Sequence, residues 1–271
     1  MDIRIVYCST VPQPSPQDNT AVKPFFHPLR IALVFMTTLP VRWPFDASDT
    51  DKRRSLYFYP LVGLVVGALL FVLHAILPEE GWLTAALLLV AWVVLTGALH
   101  IDGLVDSVDA LVGGQGNRVR SLRILQDPAA GSMGVVAVVL LLILKLAAIQ
   151  QLLAADNAGF LLAVPVIART MPILLFVSTP YVRFGGLGAT LRPIADERHL
   201  LLLSIAVALL LGMISIGTAL PLCLAAAAPV FLLLRHLSRK RLGGFTGDVA
   251  GAAVELAEAA IIVTLALATI Y

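Results

Sequence analysis

Trp82-Leu-Thr-Ala-Ala-Leu-Leu-Leu-Val-Ala-Trp-Val-Val-Leu-Thr-Gly-Ala-Leu99 runs eighteen residues without a charge, and His100-Ile-Asp-Gly-Leu-Val-Asp-Ser-Val-Asp109 follows it directly. A helix of that length and composition suits the roughly 30 Å of a bilayer's hydrocarbon core. The three aspartates packed into the eight residues 102–109 do nothing for insertion. The first half of the stretch therefore bears on fold and the second on chemistry.

Outward from it, the whole chain is oily. Of 271 residues, 59% are hydrophobic and 13% charged, and the mean hydropathy of +0.93 lies far from that of a soluble domain. The expected fold is all-α, a polytopic integral membrane helix bundle. Seven apolar runs are near twenty residues: Tyr59–Leu77, Trp82–Ile101, Met133–Ala154, Phe160–Ser178, Leu200–Gly217, Ala219–Leu237 and Ala250–Tyr271. Pro28–Val41 is apolar but short and ends near Pro40 and Pro44, which predicts an interfacial or re-entrant segment. The fifth and sixth runs are divided only by Ile216-Gly-Thr-Ala219 ahead of Pro221. Residues 1–23 carry Pro12, Pro14 and Pro16 and no apolar core, so they read as a disordered tail before a single membrane domain at 24–271.

Charge placement orients this layout. With a cytoplasmic N-terminus, all 19 Lys and Arg residues fall in cytoplasmic segments or within spans, while the outer loops carry Glu79, Glu80 and Asp156. Lys52-Arg-Arg54, Arg118, Arg120, Arg123, Arg183, Arg192, Arg198, Arg235 and Arg239-Lys-Arg241 make the inner side basic beneath a net charge of only +2. Such a side attracts an anionic leaflet or an anionic substrate. The lone cysteines, Cys8 and Cys223, give neither a disulfide framework nor metal-ligand spacing. No GxGxxG or GxxxxGK fingerprint occurs, and nothing points to a nucleic-acid partner.

On a helix, Asp102, Asp106 and Asp109 fall within a sector roughly 60° wide, where mutual repulsion calls for a cation, most simply a divalent metal ion. His100 lies about 160° around from them and is not expected on the same ion. It is either a satisfied histidine at a span end or a group that touches substrate or activates a base. A second cluster opens the last span, Leu242-Gly-Gly-Phe-Thr-Gly-Asp-Val-Ala-Gly-Ala-Ala-Val-Glu255. Asp248 and Glu255 stack on one face of it. Gly244, Thr246 and Gly247 precede a helix N-terminus, where free N–H groups favour phosphate. Gly247 and Gly251 could equally form a packing face, like Gly63 and Gly67. Gly131 and Gly134, and Arg192 after the glycine-rich Phe184–Ala189, supply flexible backbone and charge on the same side, as a phosphate loop or as plain turns. Lys145 and Arg169 lie deep in spans, where the choice is between pairing with a buried acid and anchoring a phosphate.

Together these segments resemble the cobalamin-5'-phosphate synthases (adenosylcobinamide-GDP ribazoletransferases). The similarity runs from about Leu29 to the C-terminus. It is carried by Leu39-Pro40, Tyr59-Pro-Leu-Val-Gly63, the HxDGLxDxxD pattern at 100–109, Gly131 and Gly134 followed by Lys145, and Leu242-Gly-Gly-Phe-Thr-Gly-Asp248 with Gly251, Ala252 and Glu255. Ala110 departs from the family's usual glycine, and Met1–Lys23 extends beyond its usual start. The resemblance implies an inner-membrane enzyme in which a ribose hydroxyl of α-ribazole, or of its 5'-phosphate, attacks the cobinamide-bound phosphate of adenosylcobinamide-GDP and GMP leaves. It implies Mg²⁺, for which Asp102, Asp106, Asp109 and Asp248 are the expected ligands. His100, Asp106, Asp248 and Glu255 are the expected catalytic groups, and Gly131, Gly134, Arg192, Gly244, Thr246 and Gly247 the expected substrate-binding ones. Homo-oligomerisation, or association with other cobalamin-assembly enzymes, is left open. A CDP-alcohol phosphotransferase would continue from Asp-Gly into Ala-Arg, whereas Asp102-Gly103 leads into Leu-Val-Asp106. A transporter would pair its acids across two repeated halves, and no such halves are visible.

Overall fold

The computed structural model describes residues 26–42, 44, 47–77, 81–183, 187–191 and 197–270. The expected tail at 1–23 and Arg192 lie outside them. Thirteen α-helices follow one another among the described residues: α1 (Phe26–Met36), α2 (Asp49–Ser55), α3 (Tyr59–Ile76), α4 (Trp82–Leu95), α5 (Leu99–Gly113), α6 (Arg118–Ile124), α7 (Ser132–Ala154), α8 (Phe160–Ala168), α9 (Thr170–Ser178), α10 (Leu187–Thr190), α11 (Arg198–Ile216), α12 (Leu220–Leu242) and α13 (Gly247–Ala268). A lone parallel bridge joins Tyr181 to Phe245. The chain is an all-α, multi-pass membrane bundle.

Among the described residues, five continuous helical stretches are long and apolar enough to cross a membrane, and a sixth forms if bent α4 and α5 count together. One of the five, His199–Leu242, has 44 residues. At 1.5 Å per residue it would reach about 66 Å, twice the hydrocarbon thickness. It breaks at Gly217, whose φ of +53° ends α11. Glu197, just before α11, pairs with Arg54 of α2 at 3.0 Å, whereas Ser215 near its far end packs on Gly159 at the start of α8. α12 then returns, because Phe245 just beyond its end bonds to Pro180 and Val182 beyond α9. α11 and α12 are thus a hairpin, and the 44-residue stretch divides where the sequence divides it.

The glycines of α3 are packing residues. A Cβ on Gly67 would come within 2.6 Å of the Leu161 carbonyl oxygen, so α3 and α8 approach backbone to backbone. α13, whose Val249, Ala253, Val254, Ala257, Ile261 and Ile262 are all buried, is the central post. α1 is an 11-residue helix of about 16 Å, too short to cross, as Pro28–Val41 predicts.

One span ends earlier than the hydropathy predicts. The second run does not continue helically to Ile101: α4 stops at Leu95, and α5 leaves at 83° to it. Gly97 and Ala98 both take positive φ, +59° and +55°, which reverses the helical path. Thr38 secures the elbow, its hydroxyl and amide donating to the carbonyls of Val94 and Leu95, each at 2.9 Å. The apolar run is continuous because both sides of the elbow are packed in the bundle. α5 then lies across one end of it, against α13 and α7.

Candidate active site

The elbow brings α5 to the N-terminus of α13. Gly103 touches the backbone of Asp248 so closely that a Cβ would fall 2.6 Å from the Asp248 carbonyl oxygen. This approach places Asp102 and Asp106 beside Asp248. Thr246 caps α13, its Oγ1 accepting from the Val249 amide and donating to Asp248 Oδ2 at 3.1 Å. Arg183 Nη1 donates to both oxygens of Asp248 at 3.2 Å. One cation faces several acids. Asp106, on the helix outside the crossings, shows the imbalance: partial burial, then the charges of Asp102, Asp248 and Asp109, push its carboxyl up to about 6. Below this rim opens a cavity of about 430 Å³, lined by Asp102, Asp248 and Arg183 and by Phe35, Tyr59, Phe176 and Tyr181 among others.

Asp109, though near enough for its charge to act on Asp106, is already hydrogen-bonded elsewhere. Its two carboxylate oxygens accept from the amides of Gly131, at 2.7 Å, and Gly134, at 2.9 Å. The free N–H groups at the start of α7 hold the acid, so it caps that helix from neighbouring α5. The same bonds occupy the donors of Gly131 and Gly134 expected to meet a phosphate. Gly244 is buried against Pro180, and Thr246 is only 1% exposed. Of Gly244, Thr246 and Gly247, only Gly247 is exposed, and it lines the cavity. His100 points away from the rim acids, as its spacing predicts. It is buried, with neither ring nitrogen hydrogen-bonded among the described residues, and it too lines the cavity. No group of three His, Cys, Asp or Glu among the described residues is spaced to enclose a metal ion.

Glu255 belongs elsewhere. Lys145 Nζ donates to Glu255 at 2.8 Å and to Glu258 at 2.9 Å, and Arg169 Nη1 donates to Glu258 at 3.0 Å. Lys145 also sits over the Trp92 ring, 4.6 Å from its centroid. Two cations and two carboxylates, all essentially buried, neutralise each other in the middle of the bundle. Sequence reading leaves pairing open for Lys145 and Arg169 but passes over Glu258, although Glu255-Leu-Ala-Glu258 places two acids one helical turn apart in an apolar span. It also passes over Gly103, whose signal is only its place after Asp102, and over Arg183 as a partner of Asp248.

A membrane helix bundle with an acid-rimmed cavity at one end defines the class: an integral membrane protein with a polar site at the end of its bundle. The cobalamin-5-phosphate synthase family model matches residues 28–266, and the chain belongs to that family. It is similar to proteins named adenosylcobinamide-GDP ribazoletransferase from Pseudomonas entomophila (strain L48), with 47% identity over 89% of this chain and 98% of the relative, and from Pseudomonas syringae pv. syringae (strain B728a), with 47% identity over 89% and 99%. The protein of that name from Stutzerimonas stutzeri (strain A1501) is 46% identical over 89% and 98%. No solved structure matches the chain.

Proposed function

We propose that this chain joins adenosylcobinamide-GDP to α-ribazole, or to its 5'-phosphate, releasing GMP, the last step of nucleotide-loop assembly in cobalamin synthesis. A ribose hydroxyl forms a new bond to the cobinamide-bound phosphorus, the bond from that phosphorus to the GMP oxygen breaks, and the hydroxyl proton passes to a carboxylate of the rim. The observation that carries the reading is the meeting of Asp102 and Asp106 with Asp248 at the mouth of a cavity, in a chain matched to this family over nearly its whole length.

The donor set fits Mg²⁺. It consists of hard carboxylate oxygens in excess over cations, without a closed cage, and Mg²⁺ is usually held by one or two carboxylates with water and substrate phosphate completing its shell. One or two of the rim carboxylates Asp102, Asp106 and Asp248 would hold it, and it would neutralise charge on the attacked phosphate and on departing GMP. Arg183, beside Asp248, orients phosphate oxygens. The proposed setting is the bacterial inner membrane with the rim on the cytoplasmic side, since the sequences at 77–81, 155–159 and 217–219, which join helix ends away from the rim, contain no Lys or Arg.

The test is product formation by detergent-purified protein given adenosylcobinamide-GDP, α-ribazole and Mg²⁺, beside Asp106→Asn and an EDTA control. GMP and a cobalamin product, lost in both controls, are expected. Absence of product with either form of α-ribazole from folded protein would refute the reaction.

A further inference from the structure

The basic residues that the sequence places on one side of the membrane separate into two sets. Around α2 the charge is matched: Lys52 pairs with Asp49 at 2.8 Å, Arg54 pairs with Glu197 at 3.0 Å, and Arg53 donates to Thr50 at 2.9 Å. On α6 and the last turn of α12 it is not. Arg118, Arg120, Arg123, Arg239, Lys240 and Arg241 form no ion pair with an acid among the described residues. The two elements pack together, Ser121 and Leu125 sharing a small recess with Ser238 and Leu242. A Cβ on Gly243 would lie 3.4 Å from Arg118 Cζ, and one on Gly116 would lie 2.8 Å from Arg241 Nη1, so arginines from both elements cross at the join. Like charges gathered this way favour a bound anion. None of the six lines the cavity.

The surroundings select the kind of anion. On α12, Leu232 and Leu233 are 59% and 57% exposed, the mark of a face turned to lipid in a membrane bundle. His236, Arg239 and Lys240 are exposed on that same face, because steps of four and seven residues return a helix to nearly the same direction. Lys240 stands about 10 Å along the axis from Leu233, enough to pass from hydrocarbon into the headgroup layer. On α6, Val119 is 70% exposed between Arg118 and Arg120, and Leu111 and Val112, shortly before it, are exposed as well. Apolar side chains interleaved with cations suit a segment lying in the interface of an anionic leaflet. A site for a soluble phosphate compound would leave those apolar side chains in water.

We propose that α6 and the end of α12 form a binding surface for anionic phospholipid, with the headgroup phosphate held by Arg118, Arg239, Lys240 and Arg241 and the acyl chains lying along Leu232 and Leu233. This surface is separate from the rim acids and does not depend on the reaction proposed for them.

The test places purified full-length protein in phosphatidylcholine bilayers carrying a trace of spin-labelled phosphatidylglycerol or spin-labelled phosphatidylcholine. Electron paramagnetic resonance then reads the fraction of each label that the protein holds motionally restricted. Phosphatidylglycerol should be preferred about fivefold, the factor expected of one basic residue at an anionic surface, and the preference should shrink as salt is raised. Combining Arg118→Gln, Arg239→Gln and Lys240→Gln, three exposed positions, should abolish most of it. Lys52→Gln, whose charge is already matched, should leave it intact. Equal restriction of the two lipids by the wild type would overturn the proposal, and that measurement stands whether or not the triple variant folds. An unchanged preference in the folded triple variant, or its loss in Lys52→Gln, would overturn it as well. Release of phosphatidylglycerol by inorganic phosphate, beyond the effect of chloride at equal ionic strength, would assign the surface to a soluble phosphate instead.

Discussion

Two groups of acids meet on α13 and have opposite electrostatics. Glu255 and Glu258, inside the bundle, are matched one for one by Lys145 and Arg169. Asp102, Asp106 and Asp248, at the rim, face mainly one another and Arg183. Burial alone does not separate site from scaffold. An acid in a membrane bundle that is already neutralised by protein has its partner, and one left in excess is available to a cation or substrate.

The comparison breaks most sharply at Glu258. Glu258→Gln leaves Arg169 without its buried counter-charge, for which a loss of about 3–5 kcal/mol is typical. Thermal denaturation in detergent should show it, with partial recovery when Arg169→Met is added. Wild-type stability in the single variant would mean that the central pairs do not hold the bundle together. At the rim the opposite pattern is expected: Asp248→Asn should lower kcat about 10²–10³-fold, the magnitude of losing one electrostatic stabiliser, with little change in melting temperature. A variant that unfolds but keeps its activity per folded molecule would reverse the assignment.

Between these lies Gly103. A Cβ there pushes α5 off the Asp248 backbone, so Gly103→Ala should cut kcat by about tenfold, equivalent to 1.4 kcal/mol, by separating the acids while leaving each in place. Unchanged kcat would show that their spacing does not matter. Asp109→Ala should have the smallest effect, a loss of about 1 kcal/mol of stability for an absent helix cap, read from the same melts. A Mg²⁺ requirement shifted as strongly as in Asp248→Asn would instead return Asp109 to the metal site.

Much of the fold is legible because hydropathy reports length directly. The apolar membrane bundle, the break at Gly217 and the short first helix all follow from it. Hydropathy does not report direction, so the elbow at Gly97-Ala98 is invisible inside an unbroken apolar run. For the site, local periodicity separates His100 from Asp102 and Asp106, and the positive-charge pattern puts the 100–109 stretch and Asp248 on one side. Partners distant in sequence are what periodicity cannot supply. Asp109 belongs with Gly131 and Gly134, more than twenty residues away, and Glu255 with Lys145, 110 residues away. A carboxylate's role depends on which cation or N–H reaches it first.

The most direct measurement of that distinction is divalent-ion binding. Mn²⁺, as a spectroscopic stand-in for Mg²⁺, would be titrated by electron paramagnetic resonance into the wild type, Asp102→Asn and Glu255→Gln. Binding weakened by Asp102→Asn and retained in folded Glu255→Gln is the expected result. Binding that survives the rim substitution and disappears with Glu255→Gln would place the cation in the centre of the bundle and contradict the division drawn between the two sets of acids.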